Sequence, residues 1–514
     1  MPKAPVTKGS NKFLSGVLVL TLSTVIVKII GLVYKIPMLT LLGGEGMGYF
    51  NSAYEIYALM CAFATTGLPV AMSVIISSSD TEKKDRIFKV SFALFLIMGI
   101  VGSLFMLIFS GQISEIIKSS GSLYSIIAIS PAVIFICMCG AYRGYFQGIS
   151  KMLPTSLSQI IEAGGKLLFG IIFALYASKK GYGVNIIAAF GVLGVTVSSA
   201  LGCLYLYFVK RKEGRNSICA DENNVSNKTI LKDLIKLALP ITLSSLVLSM
   251  TRAFDMTMIL RRLQSIGYSE GAANYTYGCY TTLCMPLFAL APALIGAVAL
   301  PLIPELSSAI KGRDREMQKS NITDAMSLTM FISIPVSIGL CLFSREILCL
   351  LFAGKVNEIN ITYLSLSILS LSVVPSCLIT LTNAILQTYK KAYLPIISMG
   401  VGCFAKISVA YILIGNESVN ILGAPISTLV CDMIICILNI YFLQKHSNLN
   451  LSVFRIFVKP VICGMISIVP IFALMRMLTQ RGIDGNVLTL ACIGIAGIVY
   501  LVLTGREVLR IKGK

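Results

Sequence analysis

Charge is scarce in this sequence. Only 13% of its 514 residues are Asp, Glu, Lys or Arg, while 56% are hydrophobic and the mean hydropathy is +0.84. That excludes an ordinary soluble domain, in which about a quarter of the residues are charged. Acids are the scarcer sign: 23 Asp and Glu face 43 Lys and Arg, a formal net charge of +20. The basic residues do not gather into a soluble domain of the kind that grips nucleic acid. They punctuate the chain between apolar runs, as the positive-inside rule predicts. Histidine is represented by His446 alone, expected to be solvated in a polar connection. The 15 cysteines lie mostly inside apolar runs (Cys61, Cys203, Cys284, Cys341, Cys436), where a thiol behaves as a small hydrophobe. Cys137 and Cys139 make a lone CxC, and no disulfide or zinc framework is readable. With no sizeable soluble loop, no metal constellation and no paired carboxylates at a loop, neither an enzyme nor a cofactor is expected.

What is present is a series of long apolar runs. Fourteen are readable, near 13–36, 46–78, 88–110, 123–147, 154–178, 184–209, 234–260, 272–304, 322–343, 361–387, 393–414, 419–443, 455–475 and 487–504. Each approaches the roughly 20 residues that a helix needs to cross a bilayer, so the expectation is an all-α polytopic membrane protein with fourteen transmembrane helices. The basic start MPKAPVTKGSNK resembles a signal-peptide leader. The apolar run behind it is too long, however, and lacks a small-residue cleavage site, so it is expected to stay as the first span.

Loop charge sets the expected orientation. With a cytoplasmic N-terminus, Lys83, Lys84, Arg86 and Lys89, then Lys210, Arg211, Lys212 and Arg215, then Lys311, Arg313, Arg315 and Lys319 all fall inside. So do Lys390, Lys391 and the tail residues Arg506, Arg510, Lys512 and Lys514, whereas the connections at 37–45 and 415–418 have almost no Lys or Arg. Both termini are therefore expected in the cytoplasm. Lys179, Lys180, Arg261 and Arg262 run against this pattern.

An internal repeat organises the helices. Gln147-Gly-Ile-Ser-Lys151-Met-Leu-Pro154 with Lys166 behind it returns as Gln387-Thr-Tyr-Lys-Lys391-Ala-Tyr-Leu-Pro395 with Lys406; Val184-Asn185-Ile186-Ile187 returns as Val419-Asn420-Ile421-Leu422, and Tyr207-Phe208 as Tyr441-Phe442. Six spans per copy is an even number, so both halves enter the membrane in one orientation, related by a pseudo-two-fold along its normal, as in transporters with parallel repeats. The expected organisation is an N-terminal tail at 1–12, a six-helix bundle at 13–209, a cytoplasmic linker at 210–232, a second six-helix bundle at 233–443, and two extra helices with a basic tail at 444–514.

Charges inside the spans are the candidate functional residues. Lys28 and Lys35 interrupt the first run; a Lys near a span's centre costs about 2.5 to 3.5 kcal/mol. Seven residues apart, they lie two turns apart on one helix face, a basic stripe that suits a water-filled cavity for an anion. Arg252 and Asp255 in the seventh span are i, i+3 neighbours able to pair. A guanidinium grips phosphate oxygens bidentately, so Arg252 is expected to bind an anion, positioned by Asp255. Glu162 and Lys166 stand at i, i+4 in the favourable order, an expected structural pair. Lys406 holds the same repeat position, but its i−4 residue is Gly402, which makes Asp432 in the next span its expected partner. Glu55 stands among Tyr49, Tyr54 and Tyr57, either neutralising Lys28 or Lys35 or serving as a protonatable coupling site. Arg143 is expected to end the fourth span at the cytoplasmic surface. Pro69, Pro131, Pro240, Pro286, Pro292 and Pro375 are candidate kinks.

Several motifs carry a family likeness. The run Gly43-Gly44-Glu45-Gly46-Met47-Gly48-Tyr49-Phe50-Asn51, then Gly67-Leu68-Pro69-Val70-Ala71, Tyr142-Arg143-Gly144-Tyr145-Phe146-Gln147-Gly148, and Phe254-Asp255-Met256 leading through Arg261-Arg262-Leu263 to Pro301-Leu302-Ile303-Pro304-Glu305 resemble the stage V sporulation protein B group of polysaccharide-biosynthesis membrane proteins. That group belongs to the multidrug/oligosaccharidyl-lipid/polysaccharide exporter superfamily, whose relatives include MurJ-type lipid II flippases. The resemblance covers essentially the whole chain. It implies a V-shaped fold of two six-helix bundles plus two C-terminal helices, residing in a bacterial cytoplasmic membrane, and export of undecaprenyl-pyrophosphate-linked sugars. The family's basic positions carry over to Lys28 and Lys35 in the first span and to Arg252 in the seventh. Where many relatives have Arg in the first span this chain has Lys, which keeps the charge but loses the bidentate fork.

Together these readings predict a monomeric flippase that moves a polyprenyl-pyrophosphate-linked glycan by alternating access. Membrane lipids surround it, and Na⁺ or H⁺ are the candidate coupling ions. The alternatives are a multidrug or organic-cation antiporter of the same superfamily, a membrane glycosyltransferase using the same lipid, and a non-transporting scaffold of cell-wall assembly.

Overall fold

The computed structural model describes residues 8–214, 227–447, 453–480 and 485–512. Residues 1–7 of the expected tail at 1–12, residues 215–226 of the expected linker at 210–232, with Arg215, and Lys514 lie outside the described residues. Among those described there are helices and turns and no strand. That is what hydrocarbon demands, since a helix satisfies every backbone N–H and C=O within its own segment. Eleven described helices are long and apolar enough to cross a membrane, or thirteen if each of two bent pairs makes one span. The chain is a multi-pass membrane protein.

Contacts divide it into two compact units, 1–278 and 279–514. The first holds α1 (Lys8–Ala62), α2 (Leu68–Ser77), α3 (Thr81–Ile108), α4 (Ala132–Gly148), α5 (Met152–Lys179), α6 (Val184–Gly214), α7 (Asn227–Ser265) and most of α8 (Glu270–Cys279). α7 counts with this unit because it packs on α1 and α2.

The expected connection at 37–45 is absent. Pro37-Met38-Leu39-Thr40-Leu41-Leu42 is apolar and continues α1, so the apolar stretch runs 41 residues from Leu22 to Ala62. At 1.5 Å per residue that is about 60 Å, twice a hydrocarbon core. The chain turns instead at one residue, Gly43, with φ 64° and ψ −177°, backbone that only glycine adopts readily.

Two expected spans are bent by proline. Ser120–Ile129 meets Ala132–Gly148 at 42°, and Val356–Leu371 meets Val373–Thr388 at 43°. Pro131 lies in the first break and Pro375 just past the second, each lacking an N–H and crowding the carbonyl four residues back. Pro69 and Pro286 stand at the second position of helices that follow π-helical turns, Phe63–Gly67 and Tyr280–Cys284.

Close backbone approach, more than bulk, joins α4 to its neighbours. Gly140, Gly144 and Gly148 recur every fourth residue. A Cβ on Gly140 would meet the Ala64 carbonyl oxygen at 2.3 Å, one on Gly144 the Pro69 carbonyl oxygen at 2.9 Å, and one on Gly148 the Ile76 Cβ at 2.7 Å. This is the small-residue stripe by which helices pack where lipid offers no hydrophobic drive. It presses α4 against the π turn and α2, fixing one wall of the cavity described below.

The second unit contains α9 (Met285–Lys311), α10 (Arg315–Leu342), α11 (Val356–Leu371), α12 (Val373–Thr388), α13 (Tyr393–Ile414), α14 (Gly423–Ser447), α15 (Val453–Gln480) and α16 (Asn486–Lys512). α15 and α16 pack on each other, and α15 on α10, through a cluster of Phe343, Ile468, Met475, Cys492 and Ala496. Phe343 meets Phe472 edge-on at 5.2 Å. His446 lies within α14 instead of beyond it, its Nδ1 bonded to the Phe442 carbonyl at 2.9 Å.

Candidate functional site

In the first unit a cavity of about 520 Å³ opens between α1, α2, α4, α5, α7 and the π turn. Its aromatic wall is Tyr54 and Tyr57; its polar lining includes Thr65, Thr66, Gln147, Gln159, Ser245 and Ser249. Three charged residues border it: Arg143, Glu162 and Arg252.

Arg252 is half exposed. Its Nε lies 3.9 Å from Glu55 Oε2, and its Nη2 donates to Ser249 Oγ at 3.4 Å. Lys28, exposed on α1, is within electrostatic reach of the Arg252 guanidinium. Of the first-span cations, Lys28 is thus electrostatically coupled to Arg252, and Glu55, further along α1, lies against the Arg252 guanidinium. Asp255, one turn beyond Arg252, and Lys35, two turns beyond Lys28, are both half-buried and neither borders the cavity.

Arg143 departs from expectation. It does not end its span at the surface, because α4 runs on to Gly148 and keeps the side chain 13% exposed. Its Nη2 donates to Glu162 Oε2 at 2.7 Å and its Nε to Ser158 Oγ at 3.0 Å. Ser199 Oγ donates to the other Glu162 oxygen at 3.5 Å. The short ion pair of Glu162 thus goes to α4 and not to Lys166 on its own helix. The sequence reading missed this pair; opposite charges in consecutive apolar spans were the one signal that could have found it.

Lys166 sits among rings. Its Nζ is 4.2 Å from the Tyr54 ring centroid, 5.2 Å from that of Tyr34 and 5.5 Å from that of Phe50. An ammonium over an aromatic face is attracted by the ring quadrupole, so the cage holds this charge without a short ion pair to any described residue and keeps Glu162 within its electrostatic reach. In the second unit, Lys406 on α13 and Asp432 on α14 lie on packed helices, both within electrostatic reach of Cys431. The described residues contain no group of three or more His, Cys, Asp or Glu able to hold a metal ion.

The family model for polysaccharide biosynthesis proteins matches residues 13–307, more than half of the chain. The chain belongs to that family. Among individual relatives, the lipid II flippase MurJ of Bacillus subtilis (strain 168) is 24% identical over 472 residues, covering 88% of this chain and 85% of its own. Stage V sporulation protein B of the same organism is 22% identical over 472 residues, covering 88% of each. A solved structure of the lipid II flippase MurJ in an inward closed conformation superposes with a TM-score of 0.74 at 16% identity, over 95% of this chain and 98% of that one. The fold of this family member is MurJ-like.

Proposed function

We propose that this protein is a flippase that moves a polyprenyl-pyrophosphate-linked sugar across a bacterial cytoplasmic membrane by alternating access. The observation that carries the reading is Arg252, a cation on an apolar helix that borders the cavity, with Lys28 of another apolar helix within its electrostatic reach. A charged, hydrated headgroup cannot cross hydrocarbon unaided, because leaving water costs it far more than lipid returns. Lys28, Lys35 and Arg252 neutralise the pyrophosphate while the polyprenyl tail stays in lipid. Tyr54, Tyr57 and the carboxamides and hydroxyls of the lining suit a glycan, which offers apolar ring faces and many hydroxyls. Family membership and a MurJ-like fold agree with this substrate class; a cationic lining disfavours organic-cation drugs.

The same proposal includes fourteen spans, since the break at Gly43 turns one overlong helix into two of spanning length, with both termini cytoplasmic. Two six-helix bundles, 13–209 and 233–443, rock about the linker at 210–232 in a monomer. The matching pairs of π turn and proline at 63–69 and 280–286 support such paired halves. Glu55 and Asp255 set the charge balance around Arg252, with Lys406 and Asp432 as the corresponding charges of the second bundle. An inside-negative potential drives outward movement of each net negative charge by about 2.3 kcal/mol per 100 mV, and Na⁺ or H⁺ resets the carrier.

The test is reconstitution of the full chain in liposomes carrying undecaprenyl-pyrophosphate-linked sugars, with inner-to-outer leaflet transfer as the readout. Transfer above protein-free vesicles is expected. A rate equal to theirs for every lipid-linked sugar tried would overturn the proposal.

A further inference from the structure

We infer that the Arg143–Glu162 pair is a second anion subsite of the same cavity, closed by its own carboxylate when no phosphate is present. The inference rests on the flippase reading and adds to it a residue that faces the pyrophosphate from α4.

Three observations lead there. Arg143 borders the same cavity as Arg252 but comes from a different helix, so an anion held by one can be reached by the other. Among the described residues, two of the five N–H donors that a guanidinium carries are spent, on Ser158 and Glu162. The partner on Glu162 is replaceable: Lys166 lies one turn further on the same helix, within electrostatic reach, and is held by aromatic rings in place of a short ion pair.

The pair therefore has two arrangements of nearly equal charge balance. Without substrate, Glu162 occupies the Arg143 fork as a carboxylate standing in for phosphate. With substrate, the fork turns to a pyrophosphate oxygen, and Glu162 takes the Lys166 ammonium at the i+4 position, where such pairs are favourable. Arg143 is then never left without a counter-charge, the condition that makes breaking a buried pair expensive, and Lys166 has its rings whenever Glu162 is engaged elsewhere. Because Glu162 competes with the ligand, it weakens binding and eases release.

The experiment is a double-mutant cycle on the full chain in nanodiscs, measuring affinity for undecaprenyl pyrophosphate, for inorganic pyrophosphate and for undecaprenol. Glu162→Gln, which keeps shape and removes the competing charge, is expected to tighten undecaprenyl pyrophosphate binding by about tenfold, and Arg143→Ala to weaken it by about tenfold, the scale of one charge-assisted contact. In the double variant the gain from Glu162→Gln should vanish, since no fork remains to be freed. A gain that persists without Arg143, or an unchanged affinity in Arg143→Ala, overturns the inference. Should Arg143→Ala fail to accumulate, Arg143→Lys serves, with a smaller gain from Glu162→Gln expected on that background and an undiminished one sinking the idea. Parallel effects on inorganic pyrophosphate assign the subsite to the phosphates; effects on undecaprenol would assign them to the tail and overturn it. Arg252→Ala run alongside separates the two levels: if it abolishes binding while Arg143→Ala does not, the subsite fails and the flippase reading stands.

Discussion

Arg261 donates from Nε to the carbonyl oxygen of Ile116 at 2.8 Å, tying the C-terminal part of α7 to a helix end 145 residues earlier. Ile116 closes the short helix Ser110–Ile116, so the guanidinium satisfies one of the carbonyls a helix leaves open at its C-terminus. Arg261 was one of the cations that broke the loop-charge pattern; it has a contact that accounts for its place. The same junction is tied by Gln264 Nε2 to the Lys118 carbonyl at 2.6 Å, Ser119 Oγ to Asn274 Oδ1 at 2.8 Å, and Ser120 Oγ and the Gly121 amide to Glu270 Oε1 at 2.8 and 3.1 Å.

Glu270→Ala should loosen that junction. It removes the acceptor for the Gly121 amide and the Ser120 hydroxyl, each bond to a charged group contributing about 1.5 to 3 kcal/mol. Faster amide hydrogen exchange across 116–122, with α5 and α6 unchanged, is the expected result.

Arg252→Ala and Lys28→Ala should each cut leaflet transfer by at least about tenfold, the scale of a lost charge-assisted phosphate contact. Arg252→Lys should retain part of the rate, since it keeps the charge and loses the fork. Transfer assays paired with a check of membrane insertion decide it, and full rates in both alanine variants would remove the proposed site.

Gly140→Leu should destabilise the first unit by roughly 3 kcal/mol or more, because the added atoms strike the Ala64 carbonyl and cannot be absorbed by a flexible neighbour. Gly164→Ala is the control: nothing lies within 4 Å of its Cβ, and helix propensity alone favours it by about 1 kcal/mol. Thermal unfolding in detergent should rank Gly164→Ala at or above the parent chain and Gly140→Leu well below.

Lys166→Met should cost about 0.5 to 2 kcal/mol by removing the cation from its three rings. Tyr54→Leu should cost a similar amount, and the double variant less than the sum of the two. Melting temperatures of the four proteins test this; strict additivity would mean that Lys166 and Tyr54 do not interact.

How much of this was legible beforehand differs from residue to residue. Lys28 and Arg252 stood out because a charge in a long apolar run costs enough to need a reason. Arg143 was misread because six residues beyond it comes Ile149-Ser150-Lys151, a connection, and a cation near a span's end ordinarily snorkels to the headgroups. Its partner Glu162 lies 19 residues on, across a turn and on another helix, a spacing with no periodic signature. Likewise i, i+4 order suggested Glu162 with Lys166, and the structure has Lys166 over Tyr34, Phe50 and Tyr54 from both sides of Gly43.

The sequence by itself determined that this is a multi-pass helical membrane protein and where most of its helices run. Apolar length and the scarcity of charge are local properties, and hydrocarbon leaves an apolar segment few options other than the helix. Only the tertiary structure decided which cation meets which carboxylate, that Gly43 alone replaces a loop, and that Arg143 and Arg252 border one cavity. Those outcomes depend on how closely helices distant in sequence approach, and that distance is set by glycine stripes and proline bends acting together.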